Sequence, residues 1–254
     1  MPQGPDLPTR LRPVLKIVYL IYTVGADQPL AVNGDGADLR QEAIRLARLL
    51  AQLLPDQPEV AGLLALLILN ESRRAARVAA GGALVLLRDQ DRHDWDRAMI
   101  DEGQAIVRDC LQRNQPGPYQ LQAAINAVHA DATSIEDTDW SQILALYDHL
   151  LALTPTPVIA LNRAIAVGEV DGPAAALALV DVLDLDTYHP FHATRADLLR
   201  RLHRNDDAAQ AYQRAAALAP PGPEQDFLRE QVRLLSTVAP VRPGPGERPD
   251  RNGR

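Results

Sequence analysis

Three stretches of this chain place a proline twelve positions after a small or apolar residue: Ala43 to Pro55, Ile143 to Pro155 and Ala208 to Pro220. The positions between agree as well. Four residues after the first comes Ala47, Tyr147 or Tyr212, and seven after it Leu50, Leu150 or Ala215. Offsets of four and seven return to one face of an α-helix, so each stretch predicts a helix whose stripe packs on a preceding one. Proline has no backbone N–H to donate and marks where the chain leaves that helix.

This is the second-helix half of the tetratricopeptide pattern, alanine, an aromatic four residues on and a closing proline. It is clearest in RADLLRRLHRNDDAAQAYQRAAALAP (195–220), where Ala196, Leu199 and Leu202, then Ala208, Tyr212, Ala215 and Leu218, form the inner faces of two helices. Hydrophobic residues make up 46% of the chain and aromatics only 4%, so the core is filled by Ala, Leu and Val. Small interlocking side chains suit close-packed helices, whereas a sheet favours β-branched and aromatic residues. The expected fold is all-α, a tetratricopeptide-like array of antiparallel helix pairs (an α-solenoid) with one irregular loop near 79–94.

Helices are predicted at 9–23, with Pro13 in the first turn, at 39–54 behind a capping Asp38, and at 59–78, ended by Gly81-Gly82. A short extended segment is expected at 83–87. Further helices follow at 95–113, 119–131, 139–154, 157–168, 172–184, 189–203, 205–219 and 223–236. Residues 1–8 read as a linker remnant and 9–237 as one helical-repeat domain, divergent over 9–132 and regular over 133–237. Residues 238–254 read as a disordered tail. The formal net charge of -7 repels phosphate and argues against direct nucleic-acid binding. No signal peptide is legible, and Val14 to Val24 is too short to span a bilayer, so a cytoplasmic protein is expected.

Candidate sites are few. Asp89, Asp91, Asp94 and Asp96 crowd carboxylates beside a glycine-containing segment, but neither they nor NGDGAD (33–38) has the ligand offsets of a calcium loop. Arg88, Arg92 and Arg97 can neutralise them, and Arg73 and Arg74 are expected to pair with Asp89 and Asp91, tying the loop down. Gln90, Arg92 and Trp95 in the same interruption form a candidate docking surface. Asn162, Arg163, Arg195 and Asp197 lie on first helices of repeat pairs, where polar residues are expected either on the binding face that such helices line or in buried hydrogen bonds between repeats. On that face an asparagine can hold a partner's backbone and an arginine its carboxylate. His189 and His192 have helical zinc spacing but no third ligand, and His129 reads as a core histidine. Cys110, the single cysteine, reads as a buried inert thiol. No nucleophile, phosphate loop or dinucleotide motif assembles, so the expectation is a non-enzyme without metal or cofactor.

Longer stretches add a resemblance. ESRRAAR (71–77), LLRDQDRHDWDRAMIDEG (86–103), GPYQLQAAINAVHADA (117–132), DTDWSQILALYDHLL (137–151), LNRAIAV (161–167) and FHATRADLLRRL (191–202) together resemble the C-terminal tetratricopeptide-like extension of certain ECF-type bacterial RNA polymerase sigma factors. The likeness runs from about Leu7 to Leu235. Where that family carries an Asn-Glu-Gly-Tyr-like segment after its first helix, Thr23-Val24-Gly25-Ala26 stands here. The resemblance implies a regulatory protein-interaction module whose partners are the promoter-reading sigma domains or the polymerase core. Those domains are not in this chain. Two alternatives stand beside it: a stand-alone adaptor or antagonist competing with intact sigma factors, and a small-ligand-sensing or enzymatic helical domain.

Overall fold

The computed structural model describes residues 7–27 and 38–237. Among them are eleven α-helices and no strand longer than an isolated bridge: α1 (Leu7–Asp27), α2 (Leu39–Leu53), α3 (Pro58–Glu71), α4 (Arg97–Arg113), α5 (Pro118–Asp131), α6 (Trp140–Leu153), α7 (Pro157–Val170), α8 (Pro173–Val180), α9 (His189–Arg201), α10 (Asn205–Leu218) and α11 (Pro223–Thr237). The fold is all-α, as the repeat pattern predicts. Two compact units divide between Leu185 and Asp186. The predicted tail (238–254) and most of the predicted linker remnant lie outside the described residues.

The three proline-terminated stretches behave alike. Ala43, Ile143 and Ala208 are fully buried, and so are Ala47, Leu150 and Ala215. Each helix ends two residues before its proline, and the intervening residue closes the last turn the same way. Leu54 N donates to Leu50 O, Thr154 N to Leu150 O and Ala219 N to Ala215 O, each at 2.9 Å. Three sequence-distant segments thus share one helix terminus, because each has an inward apolar stripe and a residue that cannot continue the ladder.

In the first unit α1 packs on α2, α2 on α3, and α3 on both α4 and α5; α5 then packs on α6, α6 on α7 and α7 on α8. α3 is the axis of this unit. From Val60 to Leu69 every residue except Ala61 is buried, which is why its sequence shows no amphipathic period. Its contact with α5 is backbone-close at Gly62, where a Cβ would stand 2.7 Å from Gln120 N. Glu59, one turn earlier, accepts from Tyr119 N (3.1 Å) and Gln120 N (3.2 Å) and so caps the α5 N-terminus from a neighbouring helix. In the second unit α10 packs against α9 and α11.

Most boundaries fall within two residues of the sequence reading, and the differences at α1, α3, α4 and α8 are the ones with consequences for the fold. α1 begins at Leu7 and runs to Asp27, which places Pro13 inside the helix instead of in its first turn. α3 stops at Glu71, since Ser72 Oγ bonds Leu69 O at 2.8 Å and Ser72 O is taken by Asp96 N at 2.8 Å. α4 starts at Arg97, behind Asp96, whose carboxylate accepts from Met99 N. α8 ends at Val180.

Candidate functional site

The interruption between α3 and α4 is a folded excursion that leaves and re-enters the helix stack at one point. A 3₁₀ turn (Ala75–Arg77) leads to a bridge between Val78 and Leu84, closed by Gly82 N to Ala79 O at 2.8 Å. Gly82 takes φ +82°, a conformation that glycine adopts without strain. The expected extended segment at 83–87 is this return leg, followed by 3₁₀ turns at Leu87–Asp89 and Arg92–Asp94.

Arg92 fixes the return leg to α5. Its Nη1 donates to His129 O and Ala132 O, both at 2.6 Å, and its Nη2 to Thr138 Oγ1 at 3.2 Å. The carbonyls at the α5 C-terminus, which have no intrahelical donor, are satisfied by a charged side chain from another element. Trp95 is 5% exposed and packs in the α3–α4–α5 core. Two guanidinium groups face its indole: Arg92 at 5.1 Å and Arg73 at 5.7 Å from the ring centroid. The expected docking trio therefore divides. Trp95 is core, Arg92 is a half-buried anchor, and Gln90 turns back to donate to Val85 O at 3.2 Å.

Arg73 is held without a carboxylate. Its Nη2 donates to Asn70 Oδ1 (2.9 Å) on α3 and to Asn126 Oδ1 (2.6 Å) on α5. Each amide is itself fixed by an i−4 carbonyl, Asn70 Nδ2 to Leu66 O and Asn126 Nδ2 to Gln122 O, both at 2.9 Å. Burial, and then the neighbouring charge of Arg77, lower the Arg73 pKa to about 10. His129 lies close by, edge-on to Trp140 at 5.2 Å. It is the core histidine the sequence suggested: burial, helped by Arg73 and Arg92, lowers its pKa to about 4.

The predicted ion-pair cluster of Arg73, Arg74, Asp89 and Asp91 does not form. Arg74 bonds Asp38 and Glu71, both at 3.3 Å, and Asp91 bonds His93 at 2.9 Å, while Asp89 is exposed. Sequence nearness misleads here, because helix packing brings Asp38 across from α2 while the 3₁₀ turns point the loop acids outward. Glu71, unremarked in the sequence, is instead the centre of a buried hub. It accepts from Tyr22 Oη at 3.2 Å and faces Arg40 Nε at 3.7 Å, while Arg40 Nη1 donates to Gly25 O at 2.9 Å. Burial and the adjacent Glu71 push the Tyr22 phenol well above its ordinary range. The signal for such a hub was an acid closing an otherwise apolar helix.

Of the remaining candidates, Asn162 and Arg163 lie half-buried on α7, with Arg163 Nε on Asp148 Oδ1 at 2.5 Å. Arg195 and Asp197 lie on α9 in the second unit, where Asp197 pairs with Arg200 at 2.6 Å. His189 faces Glu224 at 3.2 Å and His192 bonds Asp186 O at 2.9 Å, so the two rings do not share a ligand position. Cys110 is buried, its sulfur 3.8 Å from Pro58 O, and burial raises its thiol pKa. No described helix is long and apolar enough to cross a membrane.

Comparison with known proteins adds three likenesses. Residues 10–111 match a family of unknown function, DUF6596. The chain is 46% identical over 237 residues to the uncharacterized protein R00370 of Rhizobium meliloti (strain 1021). That match covers 92% of this chain and 56% of the relative, so the chain spans little more than half of that protein's length. Among solved structures it resembles TTC0263, a thermophilic TPR protein of Thermus thermophilus. The TM-score is 0.58 at 16% identity, over 88% of this chain and 97% of that one. The tetratricopeptide-like fold is thereby established. Neither likeness in sequence carries a described activity.

Proposed function

We propose that this chain is a non-enzymatic protein-interaction module and, more specifically, the regulatory extension of an ECF-type RNA polymerase sigma factor. The observation that carries the first part is the fold: tetratricopeptide-like helix pairs present surfaces suited to holding another protein's segments. The second part rests on the motifs RDQDRHDWDR, GPYQLQAAI and HATRADLLRRL, which resemble that extension. It is also in keeping with a relative that continues well beyond the matched region. Its partners would be the promoter-reading sigma domains or the polymerase core. Binding would favour one docked arrangement over another and so set whether initiation is productive. Partner contacts would come from Asn162 and Arg163 on α7 and from Arg195 and Asp197 on α9.

The test is titration calorimetry of this chain against separately purified promoter-reading domains of an ECF-type sigma factor, and against polymerase core enzyme. Saturable binding to either, weakened at least tenfold by Arg163→Glu or Arg195→Glu, is the expected result. Absence of binding to both would remove the sigma assignment. Binding indifferent to both substitutions would remove the assigned contacts.

A further inference from the structure

Arg73 is a cation kept without a counter-charge at a crowded position. Glu71, Asp38 and Asp91 are committed elsewhere: Glu71 to Tyr22 and Arg74, Asp38 to Arg40 and Arg74, and Asp91 to His93. Its neighbours add positive charge, since Arg77 and Arg92 act on it and Arg92 faces the same indole. A half-buried guanidinium without a carboxylate is unfavourable, and the fold could remove the cost by neutral substitution. Instead two asparagines on different helices grip one nitrogen, Nη2. Trp95 Nε1, buried without a hydrogen-bond partner, belongs to the ring these arginines face. A donor group that is fixed, electropositive and without a carboxylate is preorganised for an anion.

We propose that Arg73 is the receptor for a carboxylate on an acidic side chain of the partner protein. Asn70 and Asn126 orient its guanidinium, while Arg92 and the Trp95 ring complete the floor. This rests on the reading of the chain as a protein-interaction module and adds the chemistry of what it holds. The planar fork suits a carboxylate, and the amide grip means that little side-chain freedom is lost on binding.

The experiment uses the full chain carrying Trp140→Phe, so that the remaining indole, Trp95, reports on the site. Glutarate is titrated against sodium chloride at matched ionic strength, with inorganic phosphate as a third arm. The expected result is a saturable change in Trp95 emission with glutarate that chloride does not reproduce. Arg73→Gln should weaken it at least tenfold, with Arg73→Lys falling between. In the unsubstituted chain, the Arg73 Nε–H resonance should move with the same midpoint, a readout that survives if Arg73→Gln fails to fold. A linear response, a response indifferent to Arg73, or an unmoved Nε–H resonance overturns the proposal. Saturation by phosphate but not glutarate overturns the carboxylate assignment. None of these arms contains a sigma domain, so their outcome is independent of whether the sigma partnership holds.

Discussion

His129 shows how one buried side chain sets a pH dependence. Its folded pKa of about 4 lies below the ordinary histidine value of about 6.5, because burial and two arginines oppose the charged ring. The unfolded chain therefore binds a proton there that the folded chain does not between those two values. Stability from this group is complete above about pH 6.5 and is lost as pH falls towards 4, by roughly 3 kcal/mol at the limit. Carboxylates add their own losses only lower down, so the interval from pH 6.5 to 5 isolates the histidine. Urea unfolding of the wild type should show a falling midpoint across that interval. His129→Phe should flatten the curve there, and an unchanged slope would mean the ring is not held neutral. The same scale shows where the sequence was legible. Ala43, Ile143 and Ala208 could be read as buried because a helical period relates each to its neighbours. Trp95 sits where no period applies, and its loop position suggested a surface. The missed clue was scarcity: with two tryptophans in 254 residues, a large apolar ring is rarely left in water.

Among the elements, the excursion between α3 and α4 depends on contacts distant in sequence. Arg92 reaches 37 residues to His129 O and 40 to Ala132 O, which no local rule anticipates. The helices themselves follow from prolines, caps and stripes, so most boundaries could be read within a residue or two. Arg73 and Arg74 could be recognised as important, but sequence nearness matches them to the wrong partners, Asp89 and Asp91, since Asn126 sits on α5 and Asp38 just before α2. Arg92→Ala should leave the α5 terminal carbonyls without their donor and free the return leg. We expect a loss of about 1–3 kcal/mol in urea unfolding. Faster amide exchange confined to residues 85–95 should accompany it, and uniform exchange along the chain would contradict the anchoring role.

For the whole molecule, charge governs which partners can approach. A formal net charge of -7 opposes a polyanion, and Arg73 and Arg92 are too enclosed to reverse that field over the length of a duplex. Filter binding with a duplex of about 30 base pairs at about 50 mM salt should show no retention by this chain alone. Retention that fell steeply with added salt would reveal a basic surface that the net charge conceals.

The anchoring of the excursion also bears on how such chains change length over evolutionary time. Helix-pair proteins lengthen by copying a pair, and a copy succeeds when its faces meet the same kind of neighbour on both sides. A copied α3–α4 pair would bring Arg92 and the hairpin without the α5 terminus that receives them, and Arg73 without Asn126. By this argument a plain pair is easier to copy or lose than this one, whose two arginines need partners on α5.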